Sequence, residues 1–141
     1  IAGGWQASLM RKNVMPLIKA AFPSDLKAVI KPSTIFTTQG SGNGACTATE
    51  DDIFFLAEYE VFGTHTYASS QEPNYLKQYS YYSAGNSRVK YKHNDTSDAA
   101  IWWERSPCSD GSVLFCAVNT GGSAYGYGAG GSFGVSPAFK V

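Results

Sequence analysis

The sequence predicts an α+β domain, and three observations carry that expectation. Apolar residues recur at helical spacing in the first part of the chain, β-branched and aromatic runs dominate the later part, and the two kinds of segment do not alternate. Regular alternation would have argued for a parallel, doubly wound sheet, whereas helices early and antiparallel strands late argue against one. At 141 residues the chain is long enough to bury a core as one domain, residues 1–141, and nothing suggests a second.

Taken in order, Leu9, Met10, Val14, Leu17, Ile18 and Ala21 fall near i, i+4/5 and i+8/9 and predict an amphipathic helix from Ser8 to Phe22. Pro16 lies inside it, where it removes a backbone bond and crowds the preceding turn, so it must kink the helix or start a second segment. Ser24 is expected to cap a short helix through Leu26, Ala28, Val29 and Ile30, with Asp25 at its N-terminus and Lys31-Pro32 ending it. Ser33 to Thr38 reads as a strand, followed by a Gly/Ser/Asn loop from Gly40 to Gly44. Glu50-Asp51-Asp52 reads as a solvated turn, Ile53 to Leu56 as a short buried strand, and Glu58 to Phe62 as a helical turn closed by Gly63. Tyr75, Leu76, Tyr79 and Tyr82 predict a helix from Tyr75 to Ala84 that stops at Gly85-Asn86. Val89 to Lys92 reads as a small strand and His93 to Ser97 as a polar turn, with further strands at Ala100 to Glu104, Val113 to Val118 and Val135 to Phe139. The expected core contains Trp102 or Trp103, Phe54 or Phe55, Leu56 and Val135.

Composition excludes several function classes. Lys plus Arg number 11 and Asp plus Glu number 11, so no global field draws in nucleic acid or an anionic membrane. No apolar run approaches the roughly 18 residues of a transmembrane helix, and the N-terminus lacks the order of a signal peptide. Because it begins at Ile1, the chain is read as the C-terminal part of something longer. Three cysteines, Cys46, Cys108 and Cys116, cannot all pair within one chain, so a disulfide framework is not expected.

Catalytic constellations are weak. His65 and His93 both lie in polar turns and are expected at the surface, without a neighbouring nucleophile. Glu58 and Glu60, two apart, would diverge by roughly 200° on a helical turn, which makes them poor partners for acid–base work; Glu58 is expected to cap or anchor that turn. Gly126-Tyr127-Gly128-Ala129-Gly130-Gly131 satisfies Gly-x-Gly-x-x-Gly, but strand formers and Pro137 follow it where a phosphate loop needs a helix. Glu72-Pro73-Asn74 has the form of a calcium-lectin tripeptide without the further oxygens such an ion needs. Asn94-Asp95-Thr96 reads as a turn rather than a glycosylation acceptor. No cofactor and no metal are expected.

The functional expectation rests on the last third. Ile101-Trp102-Trp103-Glu104-Arg105-Ser106-Pro107 and Gly134-Val135-Ser136-Pro137-Ala138-Phe139 read as stiff core segments, with at least one Trp inward and Arg105 as a hydrogen-bonding hub. Between them, Cys108 to Phe133 is rich in Gly, Ser, Tyr and Asn, the composition of a paratope: Tyr gives contact area at low entropy cost, and the small polar residues adapt their hydrogen bonds. The expected ligand-binding face comprises Ser109, Asp110, Ser112, Asn119, Ser123, Tyr125, Tyr127, Ser132 and Phe133, with Glu104 at its rim. Tyr125 and Tyr127 are separated by one Gly, so an extended backbone would project both rings to one side.

The Trp-Trp-x-Arg-Ser-Pro run at 102–107 and the Gly-Val-x-Pro-Ala-Phe run at 134–139 resemble the signatures of a bacterial and bacteriophage domain family of unknown function. Gly4-Trp5 with Met10-Arg11, Pro23-Ser24-Asp25-Leu26, Ile53 to Glu58 with Val61-Phe62-Gly63, and Tyr81 to Ser87 match it too. Glu104 and Ser136 depart from its commoner residues. That family resembles the C-type-lectin-like fold, in the branch shared by formylglycine-generating enzymes and the variable proteins of diversity-generating retroelements. The resemblance implies a non-enzymatic binding module on a phage tail or bacterial surface, engaging a host-cell or other surface protein or a glycan, with room for a homo-oligomer. The residue types from Cys108 to Phe133 all suit diversification at the adenines of an Asn codon. One alternative is a copper-thiolate oxidase of the formylglycine-generating type, although Cys108 and Cys116 stand wider apart in sequence than that family's pair; another is a structural virion module.

Overall fold

The computed structural model describes residues 3–40, 42–72 and 76–141. Four segments begin the chain and one hairpin follows: α1 (Gly4–Ala7), a π-helical turn (Met10–Val14), α2 (Met15–Ala21), α3 (Ser24–Val29), then β1 (Ser33–Gly40) paired antiparallel with β2 (Asn43–Asp51). Two short helices, α4 (Glu58–Phe62) and α5 (Ser80–Ser83), lead into the hairpin β3 (Lys90–Lys92) and β4 (Asp95–Ala100). Last comes an antiparallel sheet in the order β5 (Trp102–Pro107), β6 (Leu114–Val118), β7 (Ala124–Gly128). The domain is therefore α+β with its strands antiparallel, as the patterning predicts.

The helix expected from Ser8 to Phe22 is two abutting pieces, the π-helical turn and α2, so Pro16 does start a second segment; α1 lies before it. Pro16 sits in the first turn of α2, where its missing N–H is harmless, and the wider π-helical turn before it absorbs the mismatch. Ser24 does not cap α3; Pro23 holds the cap position and Asp25 Oδ1 accepts the Leu26 N–H at 2.9 Å. The helix expected over Tyr75 to Ala84 shrinks to α5, because Tyr79 is extended and donates its N–H to Glu60 O at 2.9 Å; Tyr75 itself lies outside the described residues. Gly63, at φ 71°, closes α4 as expected by donating its N–H to Tyr59 O at 2.8 Å.

Asp51 is not in a solvated turn. It ends β2 buried, accepting the Trp5 indole N–H at 2.9 Å, the Thr49 hydroxyl at 2.6 Å and the Arg11 Nε at 2.6 Å, which ties the N-terminal helices to the first hairpin. Ile53 to Leu56 is buried throughout, yet only Phe54 forms a β-bridge, exchanging both backbone bonds with Ala138 at 3.0 and 2.7 Å. Val135 to Phe139 is likewise no strand: it carries one bridge, at Ala138, between those of Gly134 and Lys140, and Val135, expected in the core, is 38% exposed. The polar turn expected from His93 to Ser97 is mostly β4, whose residues are largely exposed and so lack apolar alternation. The core gathers Trp5, Met15, Ile35, Phe54, Phe55, Val61, Trp102, Trp103 and Phe115, with both Trp of β5 buried. All six residues of β5 are buried because β1, α1 and α4 pack against a strand already paired to β6.

Candidate functional site

The Trp-Trp-Glu-Arg-Ser-Pro run builds scaffold before it builds a site. Arg105 is 1% exposed; its Nη1 donates to Phe55 O at 2.8 Å and to Glu60 Oε2 at 2.6 Å, and its Nη2 donates to Glu60 Oε1 at 2.9 Å. Such a planar two-point pairing is the geometry that suits a buried guanidinium, and it is the hub expected from the sequence. Glu60 Oε2 also accepts the Ala57 N–H at 2.8 Å, so one carboxylate both caps α4 and fixes β5. Next to it, the Ser106 hydroxyl accepts the Glu58 N–H at 3.1 Å and donates to Glu72 Oε2 at 3.0 Å. Glu58, as an anchor, holds the following loop by accepting the N–H groups of Thr66, Tyr67 and Ala68 within 3.1 Å.

His65 is not the surface residue expected. It stacks on Tyr59 with ring centroids 4.8 Å apart, and its Nε2 stands 3.9 Å from Glu72 Oε2, beyond hydrogen-bond range. Burial lowers its proton affinity, while burial pushes the Glu72 carboxyl up to about 7 against the Ser106 hydrogen bond and the Arg105 charge. His93 is exposed in its turn. The tripeptide Glu72-Pro73-Asn74 falls partly outside the described residues; Glu72 itself is buried at 1% exposure and faces Ser106.

Cys108 is fixed by the fold. Its N–H bonds Leu114 O at 3.0 Å, it bridges Ala68, and its thiol is fully buried 3.9 Å from the equally buried Cys116 Sγ. The Cys116 hydrogen bond lowers the Cys108 thiol, and the same contact with burial raises Cys116. Among the described residues no group of three or more His, Cys, Asp and Glu is placed to hold a metal ion.

On the other face of the sheet the expected ligand-binding residues resolve into three places. Ser109, Asp110 and Ser112 are exposed in the β5–β6 turn; Ser132, also exposed, lies in the segment after β7, which meets that turn where the Ala129 N–H bonds Val113 O at 2.8 Å. Asn119 and Ser123 lie in the β6–β7 turn at the far end of a five-residue strand, about 14 Å away at the usual rise. Asn119 Oδ1 accepts the Gly121 and Ser123 N–H groups at 2.9 and 3.0 Å, so this side chain shapes the turn. Tyr125, 47% exposed, and the half-buried Tyr127 join the two ends on β7, with ring centroids 4.8 Å apart. Their aromatic row continues through Phe133 at 4.9 Å to buried Trp103 at 5.0 Å, and Tyr67 flanks Tyr125 at 5.9 Å. Gly126 between the tyrosines is a packing position: a Cβ there would meet Cys108 Sγ at 2.8 Å, so its bare face lets β7 lie against the thiol layer.

Glu104 departs most from expectation. It is 1% exposed, not at a rim, and it lines a cavity of about 380 Å³ between the N-terminal helices and the last sheet. The other walls are Trp5, Ala7, Ser8, Leu9, Met10, Val14, Phe55, Trp103 and Phe115, with Ala129 and Gly131 at the C-terminal side. Neither carboxylate oxygen has a hydrogen-bond partner among the described residues. Burial, then the charges of Glu58 and Glu72, push this carboxyl well above its ordinary range, and Arg105 offsets them only in part. A buried polar group left this way costs about 1–3 kcal/mol. An acid inside an apolar strand was the sequence signal that could have pointed to it.

No curated protein and no solved structure matches the chain. Over residues 2–141 the chain matches the family described as a domain of unknown function, DUF6273, and it belongs to that family.

Proposed function

We propose that this domain is a non-enzymatic binding module that engages a surface protein or glycan through β7 and its flanking turns. The observation that carries this reading is the aromatic row on the outer strand of the last sheet, with Tyr125 exposed and Tyr127 backed by Phe133 and Trp103. Rigid aromatic anchors on a fixed backbone bind at low entropic cost, and the serines and Asp110 of the neighbouring turn supply adaptable hydrogen bonds. The finer fold reading, a C-type-lectin-like domain of the variable-protein branch on a phage tail or bacterial surface, is supported by the Trp-Trp-x-Arg-Ser-Pro scaffold and by the position of the Tyr-rich segment at the sheet edge. Arrays of bacterial surface proteins and glycans test the module. Tyr125→Ala should weaken a captured partner by about 2 kcal/mol or more while leaving the melting transition nearly unchanged. Unchanged binding in both Tyr125→Ala and Tyr127→Ala would remove the proposal. A near-repeat of the coding 3′ end differing at adenines, beside a reverse transcriptase, would establish diversification.

A second reading, the thiolate oxidase, draws on one observation: the Cys108 and Cys116 sulfurs lie 3.9 Å apart, within reach of a single ion. Stoichiometric copper retained through dialysis and lost in Cys116→Ala would favour it over the binding module.

A further inference from the structure

We infer that the cavity between the N-terminal helices and the last sheet is a binding site for a small uncharged apolar molecule, about the size of an alkylated aromatic ring. Its volume of about 380 Å³ falls within the range of small-ligand sites, and neither Tyr125 nor Tyr127 lines it, so the site is distinct from the β7 surface. Buried Trp5, Phe55, Trp103 and Phe115 supply its apolar walls. Such walls gain edge-to-face and offset contacts with a further ring. Leu9, which also lines the cavity, is 74% exposed, so the cavity opens to solvent beside it. Ala129 and Gly131, both exposed, stand on the C-terminal side with little side chain to block entry.

The lining selects against charge. It contains no Lys, Arg or His, and its single acid, Glu104, keeps both carboxylate oxygens closed to a water-sized molecule. An ion of either sign would therefore leave water for aromatic walls without a counter-charge to meet it. Two further polar groups of the lining are engaged: the Trp5 indole N–H donates to Asp51 Oδ2 at 2.9 Å, and the Ser8 hydroxyl donates to Trp5 O at 2.9 Å and accepts the Arg11 N–H at 3.1 Å. What the cavity offers is apolar surface. Part of that surface belongs to the π-helical turn, whose two end residues, Met10 and Val14, both line the cavity and are only half-buried. Turns of this kind are rare and concentrate at functional sites, and a guest would cover both side chains. Apolar cavities of about 150 Å³ take a benzene-sized guest, so this one has room for a ring with its substituent.

Titration with ethylbenzene, followed in two-dimensional proton–nitrogen spectra, tests this, with benzylammonium and benzoate as charged counterparts. Expected is saturable binding of ethylbenzene at least about tenfold tighter than either ion. The indole N–H signals of Trp5 and Trp103, whose side chains line the cavity, should shift, while that of Trp102, bonded to Arg88 O outside the lining, should move far less. Leu9→Trp at the exposed lip and Val14→Phe on the helical wall add bulk to the lining, and each should weaken ethylbenzene at least about tenfold without altering the far-ultraviolet spectrum. Should Val14→Phe fail to fold, Leu9→Trp decides alone. Tyr125→Ala should bind ethylbenzene as the parent does, which keeps this site distinguishable from the β7 surface. The inference is overturned if ethylbenzene does not bind saturably, if either ion binds as tightly, if Trp102 shifts as much as Trp5 and Trp103, or if the folded lining variants all bind as the parent does.

Discussion

Raising the pH should destabilise this domain across a range in which most proteins gain or hold stability. Glu72 is 1% exposed, and its carboxyl is pushed from an ordinary 4.5 to about 7, by burial first, with Ser106 and Arg105 opposing and Glu60 and Glu58 adding to the shift. Between those two values the folded chain keeps a proton that the unfolded chain has lost, so stability is fully present below the unfolded value and falls as pH climbs through the folded one. The loss is on the order of 3 kcal/mol for this group alone, a large share of a typical domain's total. Glu104, raised well above its ordinary range by burial and by Glu58 and Glu72, acts in the same direction and carries the fall to higher pH. His65 opposes both, because burial lowers its proton affinity and favours unfolding on the acid side. Urea midpoints between about pH 4.5 and about pH 8.5, at constant m, measure the balance. Glu72→Gln keeps an acceptor for the Ser106 hydroxyl and removes the titration, so comparing its pH slope with the parent's separates Glu72 from His65. Stability that rises from pH 5 to pH 8, or a Glu72→Gln variant with the parental slope, would refute the reasoning.

Three further outcomes are expected from chemical denaturation. Trp102→Ala should cost about 3–5 kcal/mol, because the ring is 1% exposed, its N–H bonds Arg88 O at 2.9 Å and Lys90 Nζ lies 4.5 Å from its centroid. Arg105→Met should cost about 3–5 kcal/mol by stranding Glu60, and adding Glu60→Gln should recover part of it; an additive double variant would mean that the pair is not coupled. Gly126→Ala should cost about 1–3 kcal/mol through its contact with Cys108 Sγ, and Cys108→Ala in the same chain should reduce that penalty.

Legibility in the sequence followed how local the cause was. The hub at Arg105 was readable because a cation between bulky apolar residues and Ser-Pro, on a strand, has nowhere to go but a fixed partner. Pro16 was readable for the same reason: its covalent ring dictates its place at a helix start. By contrast β7 carries Gly at alternate positions, so its inward face offers no apolar pattern; the thiol of Cys108 explains the glycine at 126, while Gly128 meets open space. Val135 was placed in the core on residue type alone, yet the C-terminal segment meets the domain through isolated bridges that leave it half in solvent. Asp51 looked like one of three solvated acids because its partners, Trp5 and Arg11, are 40 or more residues away.

Glu104 shows the same limit at the site itself. In sequence its nearest charge is the adjacent Arg105, and a reader would pair them. Successive side chains of a strand point to opposite faces, so the guanidinium next in the chain turns to Glu60 on α4 while Glu104 is left on the other side. Four glutamates are buried around this one arginine. Glu58 takes three backbone N–H groups, Glu60 takes the guanidinium and the cap of α4, and Glu72 takes the Ser106 hydroxyl. Glu104 takes nothing from the described residues, although replacing it with an apolar residue would relieve the cost of burial. A stability argument accounts for the first three acids and leaves the fourth as a net cost that the fold carries on the first strand of its last sheet.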